Sequence, residues 1–138
     1  MKIDDVDSKL SISGSIDNYD LLVKHKIHSV INLKGESHDD INELTKRRIA
    51  YYWIPIPDWQ APRSAQIKLF NELMNNIKGR VLVHCEVGMG RSVCLCISYL
   101  IENKIVDTIK DGIEYMNKIR SISKMWNTQL NKLGELYE

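Results

Sequence analysis

The segment VHCEVGMGRS, residues 83–92, crowds three reactive side chains together: five residues separate Cys85 from Arg91, Ser92 follows at once, and Gly88 and Gly90 lie between. A thiol at a helix N-terminus beside a cation gives up its proton more readily than a free one, so Cys85 reads as a primed nucleophile. Glycines let the backbone take positive φ and turn successive N–H groups inward as an anion-binding nest. Arg91 adds a planar fork that can hold two oxygens of a tetrahedral anion, which a lysine cannot imitate. Glu86, Val87, Gly88, Met89, Gly90 and Arg91 are therefore expected to ring phosphate or another tetrahedral oxyanion above Cys85. That arrangement suits in-line attack on the phosphorus of a phosphate monoester. A nucleotide-binding P-loop fits less well, since no Gly-Lys-Ser/Thr is present.

Such a loop needs a strand to end at it and a helix to begin from it. Four short stretches rich in Val, Ile and Tyr read as strands: 9–13, 28–33, 50–56 and 80–85. Helical spacing lies between them, with Tyr19, Leu22 and Val23 behind Asp17 and Asn18, and Ile67, Phe70, Leu73, Met74 and Ile77 behind Ser64. A helix over 41–48 follows the loop ESHDD, whose His38, Asp39 and Asp40 read as a solvated turn and cap rather than metal ligands. After the last strand the pattern is helical only: Val106, Ile109, Ile113, Met116 and Ile119 share one face, and a final helix runs from about Trp126 to Tyr137. Alternation of this kind predicts an α/β fold, with a central, mostly parallel sheet of four or five strands and helices on both faces. Ligands gather at the carboxyl edge of such a sheet, where residues 83–92 fall between the last strand and its helix.

Bulk properties narrow the classes further. The 138 residues, 43% hydrophobic and 27% charged, fit a single globular domain spanning 1–138. Nineteen basic residues against eighteen acidic ones, scattered along the chain, give no reason to expect nucleic acid as a partner. The start, MKIDDVDSKL, lacks the apolar core of a secretory signal, and the longest apolar-leaning run, VCLCISYLI, has nine residues where a membrane span needs about 20. Three cysteines within twelve positions do not read as a disulfide framework, and Cys94 and Cys96 fall in an apolar helix as core residues. A cytoplasmic protein without a membrane partner is expected.

His-Cys, five residues, Arg and then Ser resembles the signature loop of the cysteine-based protein tyrosine phosphatases, and the chain is similar to their small, single-domain dual-specificity branch. SGS followed by a helix, HKIHSVINLKGE and the closing WNTQLNKLGELYE carry the likeness over most of the length. The resemblance implies a phosphoprotein or phosphopeptide substrate and a cysteinyl-phosphate intermediate, with no metal and no other cofactor. It also assigns Ser92 the role of donating its hydroxyl to the departing sulfur, although Val93 stands where the family usually has glycine. Expelling the substrate alcohol needs a proton, which points to an acid on a loop upstream of the cysteine. Asp58 in WIPIPDWQAP, between Pro57 and Trp59, resembles the Pro-Asp of the family's acid loop, with Ile56 where larger members carry Trp.

Supporting roles follow. His84 is expected to fix the loop by hydrogen bonds rather than exchange protons, and Trp59 either to pack on the substrate ring or to anchor its loop. Lys34 and Glu36 follow a strand at the same edge and are expected to line the substrate approach, while His25 and His28 carry no chemistry. Whether the substrate is phosphotyrosine alone or also phosphoserine and phosphothreonine depends on pocket depth, which the sequence leaves open. Two rivals are weaker. A rhodanese-like sulfurtransferase has a shorter loop, and a phosphate-binding module needs neither the nucleophile nor the acid.

Overall fold

A computed structural model describes residues 1–86, 90–120, 125 and 127–138. Five strands form one sheet: β1 (Asp4–Asp5), β2 (Leu10–Ser13), β3 (Ile27–Lys34), β4 (Ala50–Ile56) and β5 (Arg80–His84), in the order β1-β2-β5-β3-β4. Only β1 runs antiparallel, against β2; the other neighbours are parallel. The helices are α1 (Tyr19–Lys24), α2 (Ile41–Lys46), α3 (Ser64–Asn76), α4 (Arg91–Glu102), α5 (Ile109–Ile119) and α6 (Asn127–Tyr137). The expected α/β class, the mostly parallel sheet and the helices on both faces are all present.

The two faces are written into β5. Val81 and Val83 join a core beneath α3, α4, α5 and α6, built with Phe70, Met74, Leu95 and Met116, while Leu82 between them joins Leu22, Val30 and Leu44 under α1 and α2. This is why VLV reads as an unbroken apolar run: a central strand covered on both sides has no polar face to show. Truncating fully buried Leu82 to alanine would cost about 2–5 kcal/mol.

Local chemistry sets the ends of the elements. Asn18 caps α1 by accepting from the Leu21 N–H, Asp40 caps α2 by accepting from Glu43, and Thr108 caps α5 by accepting from Asp111. Gly79 enters β5 at φ +89, and a Cβ there would lie 2.7 Å from the His28 ring.

Several boundaries differ from expectation, β2 by a residue at one end and β3 by a residue at each end. β1 consists of two aspartates and carries no apolar signal. α2 stops at Lys46 instead of 48, because Arg48 turns the chain at φ +58. Val106 packs on the core ahead of α5, since the Thr108 cap starts the helix later. β5 ends at His84, one residue before Cys85. The parallel register carries the ends of β3, β4 and β5 to one edge, delivering residues 35–40 and 57–60, together with Cys85, Glu86, Gly90 and Arg91, to a common site.

Candidate active site

Cys85 leaves the end of β5 and Ser92 stands in the first turn of α4, so the strand-to-helix reversal brings their side chains together: Sγ lies 2.9 Å from the Ser92 hydroxyl oxygen. Both are buried, Cys85 with 3% of its surface exposed, which places the sulfur on the floor of the site. The free N–H groups of a twelve-residue helix open beside it. Val93 points into the core, fully buried. Val87, Gly88 and Met89 lie outside the described residues.

Gly90, the residue before α4, has φ −131 and so does not use the left-handed freedom expected of it. Its missing Cβ serves another end, since a methyl group there would come within 3.3 Å of the Gln129 side-chain amide of α6.

Arg91 is 2% exposed although it is the first residue of its helix. A buried guanidinium needs partners for its donors, and three come from the neighbouring strand ends. Nη1 donates to Glu36 Oε1 at 2.7 Å and to the Ile56 carbonyl at 2.9 Å, and Nη2 donates to Glu36 Oε2 at 3.0 Å. Asp58 Oδ1 lies 3.6 Å from Nη2. Burial pulls the Arg91 pKa down, but the hydrogen bond to Glu36 and the fields of Cys85, Glu36 and Asp58 outweigh it and leave it raised. The same hydrogen bond outweighs partial burial at Glu36 and holds its carboxyl below the usual carboxylate range.

Asp58 follows β4 on a tight turn closed by the Gln60 N–H on the Pro57 carbonyl, and its Oδ1 accepts from the Trp59 N–H at 3.0 Å. Trp59 takes φ +71 and is 62% exposed, so its ring faces outward. Two side chains of α6 hold this turn: Thr128 donates to the Trp59 carbonyl at 3.0 Å and Gln129 to the Gln60 carbonyl at 3.2 Å. Gly35, Glu36, Pro57 and Asp58 line an open cleft of 460 Å³ between the two strand-end loops.

The loop 35–40 also reaches the other end of the site. Asp39 Oδ2 lies 2.6 Å from His84 Nε2, with 7% of the Asp39 side chain exposed and none of His84. ESHDD is therefore not a solvated turn throughout; Asp40 caps a helix as expected, but Asp39 points inward. Lys34 turns to the signature loop as well. Its ammonium lies 2.9 Å from Glu86 Oε2 and 2.9 Å from the Ser15 hydroxyl, and the Ser15 N–H donates to the Glu86 carbonyl at 3.0 Å. The hydrogen bond from Lys34 is what holds the Glu86 carboxyl low.

Asp39, Thr128, Gln129 and the Ile56 carbonyl were not legible as site groups in the sequence. Each acts from another element, and only the inward turn of Asp39 left a trace, as a carboxylate three residues beyond Glu36.

The remaining thiols stand apart. Cys94 and Cys96 are free and buried in α4; burial pushes the Cys94 thiol up to about 12 and Cys96 well above its ordinary value. Among the described residues no group of three or more His, Cys, Asp or Glu could hold a metal ion, and no helix is long and apolar enough to cross a membrane.

The chain is similar to known phosphatases in sequence and in shape. Dual specificity protein phosphatase 5 of Rattus norvegicus is 32% identical over 85 residues, covering 59% of this chain and 22% of the relative. Dual specificity protein phosphatase 18 of Bos taurus is 31% identical over 105 residues, covering 70% and 53%. The chain thus spans about a fifth to a half of the length of these curated relatives. Two solved structures share the fold at low identity. Tk-PTP in its active form superposes with a TM-score of 0.81 at 22% identity, covering 98% of this chain and 95% of that one. PTPMT1 superposes with a TM-score of 0.84 at 20% identity, covering 99% and 94%. The family model for the dual specificity phosphatase catalytic domain matches residues 12–138, nearly the whole chain, and by that match the chain belongs to the dual specificity phosphatase family.

Proposed function

We propose that this chain is a protein phosphatase whose single catalytic domain hydrolyses phosphate monoesters on tyrosine, and on serine and threonine where the cleft admits them. The observation that carries the reading is the Cys85 sulfur, 2.9 Å from the Ser92 hydroxyl and within the electrostatic reach of a buried Arg91 that Glu36 and the Ile56 carbonyl hold in place.

In the first step the Cys85 thiolate attacks phosphorus, the S–P bond forms and the P–O bond to the substrate breaks, with Asp58 giving its proton to the leaving alcohol. The guanidinium of Arg91 and the N–H groups of the signature loop, Glu86 to Arg91, stabilise the charge on the transferring phosphoryl oxygens. In the second step Asp58, now a carboxylate, takes a proton from water as that water attacks the phosphocysteine. The S–P bond breaks toward sulfur, and the Ser92 hydroxyl donates to the thiolate as it forms. Glu36 lines the cleft and also grips Arg91, and Lys34 holds Glu86, so both act through the loop. Trp59, exposed beside Asp58, meets the substrate ring. Cysteines outside any disulfide support a reducing, cytoplasmic setting.

The test is phosphate release from phosphotyrosine, phosphoserine and phosphothreonine peptides by the wild type, Cys85→Ser and Asp58→Ala. Cys85→Ser is expected to release none. Asp58→Ala is expected to lose about 10²- to 10⁴-fold, most with poor leaving groups. Undiminished turnover in Cys85→Ser ends the proposal.

A further inference from the structure

We infer that Asp39 is a positioning residue for this reaction: it fixes the His84 ring, and through His84 the peptide that carries Cys85. The inference rests on the phosphatase reading above. It starts from two acceptor oxygens that face the two ring nitrogens of a fully buried histidine. Asp39 Oδ2 lies 2.6 Å from Nε2 and the Cys85 carbonyl 3.4 Å from Nδ1. Neither an ionised carboxylate nor a carbonyl has a hydrogen to give, so the ring must supply it at Nε2, and a second at Nδ1 if both contacts are hydrogen bonds. The carboxylate therefore sets the orientation of the ring next to the nucleophile and calls for a hydrogen on Nε2.

Asp39 is itself held by the sheet. Its N–H donates to the Tyr51 hydroxyl at 3.3 Å, and the same oxygen receives Asn32 Nδ2 at 3.0 Å and lies 2.9 Å from His38 Nδ1. Asn32 Nδ2 also donates to the Ser37 carbonyl at 3.0 Å, and the next N–H along, that of Asp40, donates to the Tyr19 hydroxyl at 2.9 Å. Asn32 of β3 sits beside His84 in the ladder, so the polar network and the nucleophile share one rigid support. Glu36 grips Arg91 from the same loop. One segment thus holds the signature loop at both ends, at His84 before the cysteine and at Arg91 after it. The network runs from the surface at His38 inward to buried Asn32 and His84; hydrogen bonds that tie down buried polar groups specify geometry, and a loosened nucleophile loses rate before it loses affinity.

A merely structural Asp39 would also be conspicuous when removed, because it would leave a buried histidine without an acceptor. The experiment therefore separates geometry from folding. Asp39→Asn, Asp39→Glu and Asp39→Ala are compared with wild type for kcat and KM on a phosphotyrosine peptide, for Tm, for the rate of Cys85 alkylation by iodoacetate, and for the low-field imidazole N–H proton signal. Asp40→Ala, which removes the cap of α2 from the same loop without touching His84, serves as the control. Asp39→Ala is expected to lower kcat about tenfold or more with little change in KM, to slow alkylation and to abolish one low-field proton. Asp39→Glu is expected to restore part of the rate, and Asp40→Ala to lower Tm while keeping kcat. Unchanged kcat in Asp39→Ala at temperatures where it is folded, or an equal kcat loss in Asp40→Ala, overturns the inference. The proton signal and the alkylation rate need no turnover, so they report on the Asp39 contact even if phosphate release fails in the wild type.

Discussion

Glu36 and Arg91 face each other as a fork on a fork, Oε1 to Nη1 at 2.7 Å and Oε2 to Nη2 at 3.0 Å, across 55 residues of sequence. The pair joins the loop after β3 to the start of α4 and orders the guanidinium to which the proposed mechanism assigns the phosphoryl oxygens. Glu36→Ala is expected to lower kcat/KM about tenfold, at the low end of what a hydrogen bond to a charged group supplies, because this carboxylate is partly open to solvent. Steady-state kinetics with phosphate as a competing inhibitor check it. A rise in phosphate affinity instead would show Glu36 competing with the anion for Arg91.

The Ser92 hydroxyl oxygen lies 2.9 Å from the Cys85 sulfur, and under the proposed mechanism its effect falls on the second step. Ser92→Ala is expected to slow steady-state turnover about 10- to 150-fold, with alcohol release still fast in the first turnover. Rapid mixing should then show a burst of one alcohol per enzyme, and acid quenching should trap phosphocysteine. Loss of the burst would move the role of Ser92 to the first step.

The sequence and the structure agree best where the signal is continuous along the chain. VLV at 81–83 announces a strand covered on both faces, and Cys85, Arg91 and Ser92 sit within one strand-to-helix reversal, so their proximity is set by spacing alone. Agreement weakens where a role depends on what arrives from elsewhere. Asp39 and Asp40 are adjacent aspartates in a polar stretch; one caps a helix and the other is buried against His84, and only the packing of β3 and β4 tells them apart. Gln129 lies in a helix of ordinary pattern, and its contact with the acid turn needs α6 to fold back over Gly90. Gly90 reads in the sequence as a source of positive φ, whereas its small size is what the structure uses.

The turn that carries Asp58, the proposed acid, is held by α6 and not by its own residues alone. Thr128→Val with Gln129→Leu removes both donors to the turn while keeping similar volumes. A looser Asp58 should matter most when the leaving alcohol needs its proton, so the double variant is expected to lose severalfold more kcat/KM on alkyl phosphates than on p-nitrophenyl phosphate. Equal losses on both would indicate damage to the phosphate-binding loop instead.

The buried thiols make stability fall in alkali. Burial pushes Cys94 up to about 12 and Cys96 well above its ordinary value, so both are neutral in the native state at pH values where an exposed thiol has ionised. Below an unfolded thiol pKa of about 8.5 neither state gains or loses a proton there, and the stability these groups contribute is fully present. Above it the unfolded chain releases protons that the native chain keeps, so stability declines as pH climbs toward the native value, by about 1.4 kcal/mol per pH unit for each such thiol. Cys94→Ala removes one of these contributions. It also empties volume in α4, which lowers stability by the same amount at every pH. The diagnostic is therefore the slope: between about pH 8.5 and 10.5, urea midpoints should fall less steeply in Cys94→Ala than in wild type. Tyr99, Tyr115 and Tyr137, all raised chiefly by burial, add a decline of the same sign at higher pH in both proteins and leave the difference intact. Parallel slopes would mean that the Cys94 thiol ionises as readily in the folded chain as in the unfolded one.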